Sequence, residues 1–180
     1  ELKELIDKEK NVEVIYAPSF SPEAFQILKE RKDLRVVLME DINHSSVDNR
    51  LDYKRVTGGL LVQPRWETRI HTEKDVECIS KRMATYEEIR AGLFNWKVAG
   101  FTRSNAMVIG TEYRTHGIGS GQRSRIDAFY DAIRLANGRD GTNPSFGSAG
   151  TVLASDAYMP STDVVELAAK NGITGIIFPL

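Results

Sequence analysis

Cysteine is nearly absent from this chain. Cys78 is the only one, which excludes an internal disulfide and suits a reducing compartment such as the cytosol. No apolar run approaches the ~20 residues that a membrane-spanning helix needs, and no signal peptide opens the sequence. Neither sign of charge prevails. With 24 basic against 25 acidic residues, the net charge of −1 offers no field to gather nucleic acid or an anionic membrane. Histidine is scarce as well: His44, His71 and His116 lie far apart without ligand spacing, so no metal site is expected. Repeats, low-complexity stretches and coiled-coil heptads are missing too.

What is present suits one domain or two small ones, since 180 residues at 41% hydrophobic content can close a core. Apolar runs alternate with amphipathic ones. Glu1 to Lys10 reads as helix and Val12 to Ala17 as strand. Ser21-Pro22-Glu23 opens a helix, with serine as cap and proline in the first turn. Leu34 to Met39 reads as a buried strand, Glu40 to Asp52 as a polar loop and Gly58 to Gln63 as a strand. Val76-Glu77-Cys78-Ile79 is strand-like, which favours an inert sheet or core role for Cys78 over that of a nucleophile. Thr85-Tyr86-Glu87-Glu88 is a capping box that opens a helix running through Trp96 and Val98. Strand is expected from Asn105 to Thr111, helix from Arg123 to Asn137, and loop from Gly138 to Gly150. Thr151 to Ser155 reads as strand, Thr162 to Lys170 as helix stopped by Gly172, and Ile173 to Phe178 as strand. This alternation predicts an α/β layered fold with a largely buried sheet. The charged start at Glu1 and the apolar finish at Leu180 read as the ends of a piece of a longer polypeptide.

The most informative stretch is Ser104-Asn105-Ala106 followed by His116-Gly117-Ile118-Gly119-Ser120-Gly121-Gln122-Arg123-Ser124-Arg125. A strand, a glycine turn and a helix start would gather backbone N–H groups, a guanidinium and an amide, the equipment for gripping an anionic small molecule. The same glycines also suit an ordinary hairpin or bulge. Neither the dinucleotide fingerprint nor the P-loop spacing is met. Asp156 and Asp163 bracket Ala157-Tyr158-Met159-Pro160 as a polar corner, or else as the capping region of the next helix, where Ser161, Thr162 and Asp163 are the candidates. Glu13 is a carboxylate among Val12, Val14, Ile15 and Tyr16, either facing solvent or held for a purpose.

These motifs resemble a known family. Ser-Asn-Ala around Asn105, the Gly-Ile-Gly-Ser-Gly-Gln-x-Ser-Arg run and Ala154-Ser155-Asp156-Ala157-Tyr158-Met159-Pro160 resemble the AICAR transformylase part of the bifunctional purine-biosynthesis enzymes that also carry IMP cyclohydrolase. Ile15 to Ala24, Tyr53 to Gln63 and Val165 to Ala169 are similar to further family segments. The likeness runs in order along nearly the whole chain.

The resemblance implies a three-layer α/β/α fold of the cytidine-deaminase-like type, a cytoplasmic homodimer, and one transformylase portion over residues 1–180. The implied reaction moves a formyl group from the co-substrate 10-formyltetrahydrofolate to the 5-amino group of AICAR. It implies a catalytic role for Asn105, AICAR contacts at Glu13, Asn105 and Tyr158, and folate contacts at Arg125, Ile126 and Asp163. The resemblance places the family's catalytic lysine–histidine pair upstream of these residues and its C-terminal tail after Leu180, and leaves the cyclohydrolase domain wholly outside them. Arg103 replaces a family lysine, while Met159 and Ser161 replace phenylalanines around Pro160. Those changes leave a second reading open: a diverged, non-catalytic module that binds nucleotide or folate, or that dimerises.

Overall fold

The computed structural model describes residues 12–40, 51–65, 67–68, 70–138 and 150–179. The helix expected over 1–10, most of the polar segment around His44, and most of the 138–150 loop lie outside these. The chain divides into two compact units, residues 1–65 and 66–180.

The first unit holds a parallel pair, β1 (Val14–Ala17) and β2 (Arg35–Leu38), joined through helix α1 (Pro22–Lys29). Ser21 caps α1 as expected, its hydroxyl accepting the Ala24 N–H at 3.2 Å with Pro22 in the first turn. A hairpin follows: β3 (Leu51–Val56) and β4 (Gly59–Pro64), antiparallel, with Tyr53 opposite Val62. The sequence reading put the start of β3 in a loop. Alternation was the missed signal: Leu51, Tyr53, Leu60, Val62 and Pro64 share one face with Arg55, while Asp52, Lys54 and Gln63 share the other with Val56 and Leu61. Thr57 and Gly58 make the turn, and Gly58 has φ 85°. Among the described residues of this unit, only Leu28 is buried.

The second unit is built on a four-stranded sheet in the order β6-β5-β7-β8. Its strands are β5 (Met107–Gly110), β6 (Thr115–Gly119), β7 (Val152–Ser155) and β8 (Gly175–Ile177). β5 runs antiparallel to both neighbours, and β7 is parallel to β8. Helix α2 (Tyr86–Gly100) covers one face. Helices α3 (Arg125–Ala136) and α4 (Asp163–Lys170) cover the other. Strand alternation sorts the core between the two faces. Met107, Ile109 and Leu153 pack on Phe129, Ala132, Val164 and Ala168, whereas Val108 and Ala154 pack on Ala99 and Val98. The architecture of this unit is therefore mixed α/β with helices on both sides of a buried sheet centre. Among the described residues, no helix is long and apolar enough to cross a membrane.

Two expectations need correction here. Cys78 is exposed and lies outside any strand, its thiol facing Ser80 Oγ at 3.4 Å. Val76 is half-buried, and Glu77, Cys78 and Ile79 are exposed outside any strand. Only the end of the glycine run turns: His116 to Gly119 belongs to β6, in a hairpin with β5 that carries a bulge at Ile109/Gly110, and Gly121, at φ 65°, lies in the loop beyond it. A Cβ on Gly117 would collide with the Ala132 carbonyl oxygen, and one on Gly119 with that of Ala128. These glycines let the backbone of α3 lie directly against the strand, so they are packing residues rather than an anion cradle.

Candidate functional site

Strand directions bring several chain segments to one end of the sheet. Met107, at the start of β5, pairs with Gly119 at the end of β6 and with Ser155 at the end of β7. Ala154 pairs with Ile177, which brings the end of β8 to the same side. Everything just outside these residues therefore collects there: Asn105, the 120–124 loop with the N-terminus of α3, and the 156–163 segment.

Asn105 follows a cis Ser104–Asn105 peptide and is fixed from two sides. The Gln122 carbonyl accepts its side-chain Nδ2 at 3.0 Å and its backbone N–H at 3.4 Å. A carbonyl can only accept, so the amide must turn its NH2 group towards Gln122 and leave Oδ1 as an acceptor with no partner among the described residues. On the other side, Asp156 Oδ1 accepts the Ala106 N–H at 2.9 Å, and the Asp156 N–H reaches the Ala106 carbonyl at 3.4 Å. Gly121 donates to the Arg103 carbonyl at 2.7 Å, and its φ of 65° lets the loop double back against Arg103. Gln122 Nε2 in turn approaches Asp131 Oδ2 on α3 at 3.4 Å.

Beside this lies a cleft of about 190 Å3 lined by Ser124, Arg125, Ile126, Met159, Pro160, Ser161, Asp163 and Val164. Ser124 caps α3, accepting the Asp127 N–H at 3.0 Å, and so turns Arg125 and Ile126 into the cleft's wall. Arg125 Nε is buried with no hydrogen-bond partner among the described residues. Asp163 accepts the Ser161 hydroxyl at 2.6 Å and the Val164 N–H at 2.8 Å. Those two donors, Ser161 first, hold its carboxyl below the usual carboxylate range. Tyr158, at the cleft's approach, is 56% exposed, and its ring centroid lies 6.5 Å from that of Phe178.

Of the residues singled out in the sequence, Arg125, Ile126 and Asp163 come together in one cleft, and Asn105 sits at the same end of the sheet. Glu13 belongs to the first unit, where it is exposed just before β1 and its carbonyl accepts the Arg35 N–H at 2.9 Å. His116 is removed from this site, since it lies towards the opposite end of β6. Sequence reasoning missed the part of Gln122, which acts through its main-chain carbonyl and therefore leaves no side-chain signature. It did mark Asp156, but only as one side of a polar corner; its side-chain partner is 50 residues away.

A family model described as AICARFT/IMPCHase bienzyme matches residues 2–135. The chain belongs to the AICARFT/IMPCHase family. Among curated relatives, the bifunctional purine biosynthesis protein PurH of Pediococcus pentosaceus is 40% identical over 168 residues, covering 93% of this chain and 31% of the relative. The PurH protein of Thermoanaerobacter sp. is 39% identical over 168 residues, covering 93% and 30%. That of Magnetococcus marinus is 38% identical over 173 residues, covering 93% and 32%. The chain thus spans about a third of the length of these AICARFT/IMPCHase relatives.

Proposed function

We propose that this chain supplies part of the active site for formyl transfer from 10-formyltetrahydrofolate to the 5-amino group of AICAR. The step belongs to IMP formation in purine biosynthesis, as the PurH relatives' name suggests. The observation that carries the proposal is the convergence of Asn105 with a cleft walled by Arg125, Ile126 and Asp163 at one end of a single sheet. The cleft takes the folate. Arg125, with a buried and unpartnered Nε, offers donors to a pterin carbonyl or a carboxylate. Ionised Asp163 offers acceptors to ring N–H groups.

The chemistry calls for an orienting acceptor. The 5-amino lone pair is delocalised into the imidazole and carboxamide, which makes the amine a poor nucleophile. Its attack on the formyl carbon builds a tetrahedral oxyanion. Collapse of that intermediate breaks the bond to the folate nitrogen, which leaves with a proton as tetrahydrofolate. Asn105 Oδ1, held outward by the Nδ2 bond to Gln122, accepts an amine N–H and aligns the lone pair. The proton-transferring lysine–histidine pair is assigned to the part of the full-length protein that precedes these residues. Tyr158 and Glu13 are assigned to AICAR. The cytidine-deaminase-like fold, the homodimer and the cytoplasmic location follow from the same family reading.

The test is tetrahydrofolate formation by the full-length protein and its Asn105→Ala variant. We expect kcat to fall by about two orders of magnitude with the fold intact, the scale of a lost orienting contact. Unchanged turnover in the variant would sink the assignment. Met159 and Ser161 in the cleft, where the family carries phenylalanines, favour the second reading of a binding module. A folded wild type that binds folate without turnover would select it.

A further inference from the structure

Asn105 can align a substrate only if its own backbone is fixed, and one side chain fixes it from across the sheet. The β5–β7 ladder begins at Met107 opposite Ser155. One residue earlier the chain carrying Asp156 is already turning away towards the cleft, and the main-chain rung there is stretched, with the Asp156 N–H 3.4 Å from the Ala106 carbonyl. The Asp156 carboxylate takes the place of the missing acceptor. Its Oδ1 accepts the Ala106 N–H at 2.9 Å, a tighter bond than the main chain makes at that level.

Two consequences follow from this geometry. The ladder gains a rung made by a side chain, so the 156–160 segment is free to leave the sheet and wall the cleft. The peptide joining Asn105 to Ala106 is meanwhile held from the β7 side, while the Gln122 carbonyl holds Asn105 from the α3 side. Ser155 braces the departure: its hydroxyl donates to the Ala157 carbonyl at 2.9 Å and accepts the Ala157 N–H at 3.4 Å. With Ser155 buried, the point at which Asp156 leaves the strand is set by the core.

We propose that Asp156 is a positioning residue for Asn105, acting through its hydrogen bond to the Ala106 N–H. This inference deepens the formyl-transfer reading and rests on it for its kinetic arm only. What Asp156 supplies is an acceptor at one place; negative charge has no part in it. That distinction makes the proposal testable with two conservative variants.

The experiment compares Asp156→Asn and Asp156→Glu in the full-length protein. Asparagine keeps an acceptor oxygen at the same reach and removes the charge. Glutamate keeps the charge and moves the oxygens one methylene further out. We expect Asp156→Asn to retain kcat within threefold of wild type and Asp156→Glu to lose at least tenfold, with KM for the folate changed less than twofold in both. The opposite order would overturn the proposal, and so would equal rates. The second arm follows the Asn105 side-chain amide by 15N-asparagine NMR in the same variants. We expect its resonances to stay near their wild-type positions with asparagine and to move with glutamate. Resonances that do not move in Asp156→Glu would overturn the proposal even if its rate falls. Should the wild type transfer no formyl group, the activity reading fails by itself, and the NMR arm alone decides for or against Asp156.

Discussion

At the scale of single residues, the absence of a side chain matters as much as its presence. Gly117 and Gly119 sit where the backbone of α3 presses on β6, and the atoms a Cβ would strike are main-chain carbonyls that cannot rotate aside. Gly117→Ala must therefore push strand and helix apart, and we expect it to destabilise the protein by about 2–3 kcal/mol or more, as overpacking does. Chemical denaturation checks this; a midpoint equal to wild type would contradict the packing role. Glu88 makes the complementary case. It is only 6% exposed, yet it takes both guanidinium nitrogens of Arg82 at 2.9 Å, and it accepts the Thr85 N–H at 2.9 Å in the capping box of α2. Arg82 also reaches the Thr174 carbonyl at 2.7 Å, so the pair ties the 82–88 stretch to the approach of β8. The Arg82 bonds foremost hold Glu88 at about 2, below its ordinary 4.5. A depressed carboxyl stabilises the fold above its unfolded pKa, and that stability drains away as pH falls from about 4.5 to about 2. On the order of 2–3 kcal/mol is at stake. The stability gap between wild type and Glu88→Gln should be full at pH 6 and close progressively towards pH 2. Parallel pH curves for the two proteins would show that the charge on Glu88 plays no part.

At the scale of elements, legibility followed the range of the forces. The caps at Ser21 and Thr85 were readable because each is a bond to a backbone N–H three residues on, whereas Ser124, which caps α3 in the same way, falls inside the helix expected from Arg123 to Asn137. The apolar runs that form β5 and β7 were readable for the same local reason. β3 escaped notice because its apolar residues are single and interleaved with charges, a weak signal until β4 is set against it. The glycine run misled because glycine serves turns and close packing alike, and only the position of α3 decides between them. Within the site, the residues of the cleft were visible through family likeness. The supports of Asn105 were not: Gln122 uses its carbonyl, and Asp156 bonds to a backbone N–H on another strand. The α4 start shows the same limit. Thr162 takes the cap position without a side-chain bond to the helix backbone, because its hydroxyl goes to Glu166 at 3.0 Å.

At the scale of the whole molecule, the two units differ in what they bury. Residues 66–180 enclose a sheet between helices, with Met107, Val108, Ile109, Leu153 and Ala154 fully buried. Residues 1–65 make a two-stranded parallel pair and a separate hairpin, and Tyr16, Leu38, Tyr53, Leu60 and Leu61 are each more than half exposed. Parallel strands are stable when both faces are covered, and a lone hairpin is marginal in water. Ordering a residue costs about 1–2 kcal/mol of conformational entropy, which one buried leucine, worth roughly 1.5–3 kcal/mol, cannot offset for the described residues of this unit. Leu51, Tyr53, Leu60, Val62 and Pro64 lie exposed on the hairpin face they share with Arg55. Expressed separately, residues 66–180 should melt in one cooperative transition with heat-sensitive far-UV circular dichroism. Residues 1–65 alone should show no cooperative transition and a near-zero dependence of signal on denaturant. A sharp, reversible melt of residues 1–65 by themselves would contradict this division, because among their described residues only Leu28 is buried.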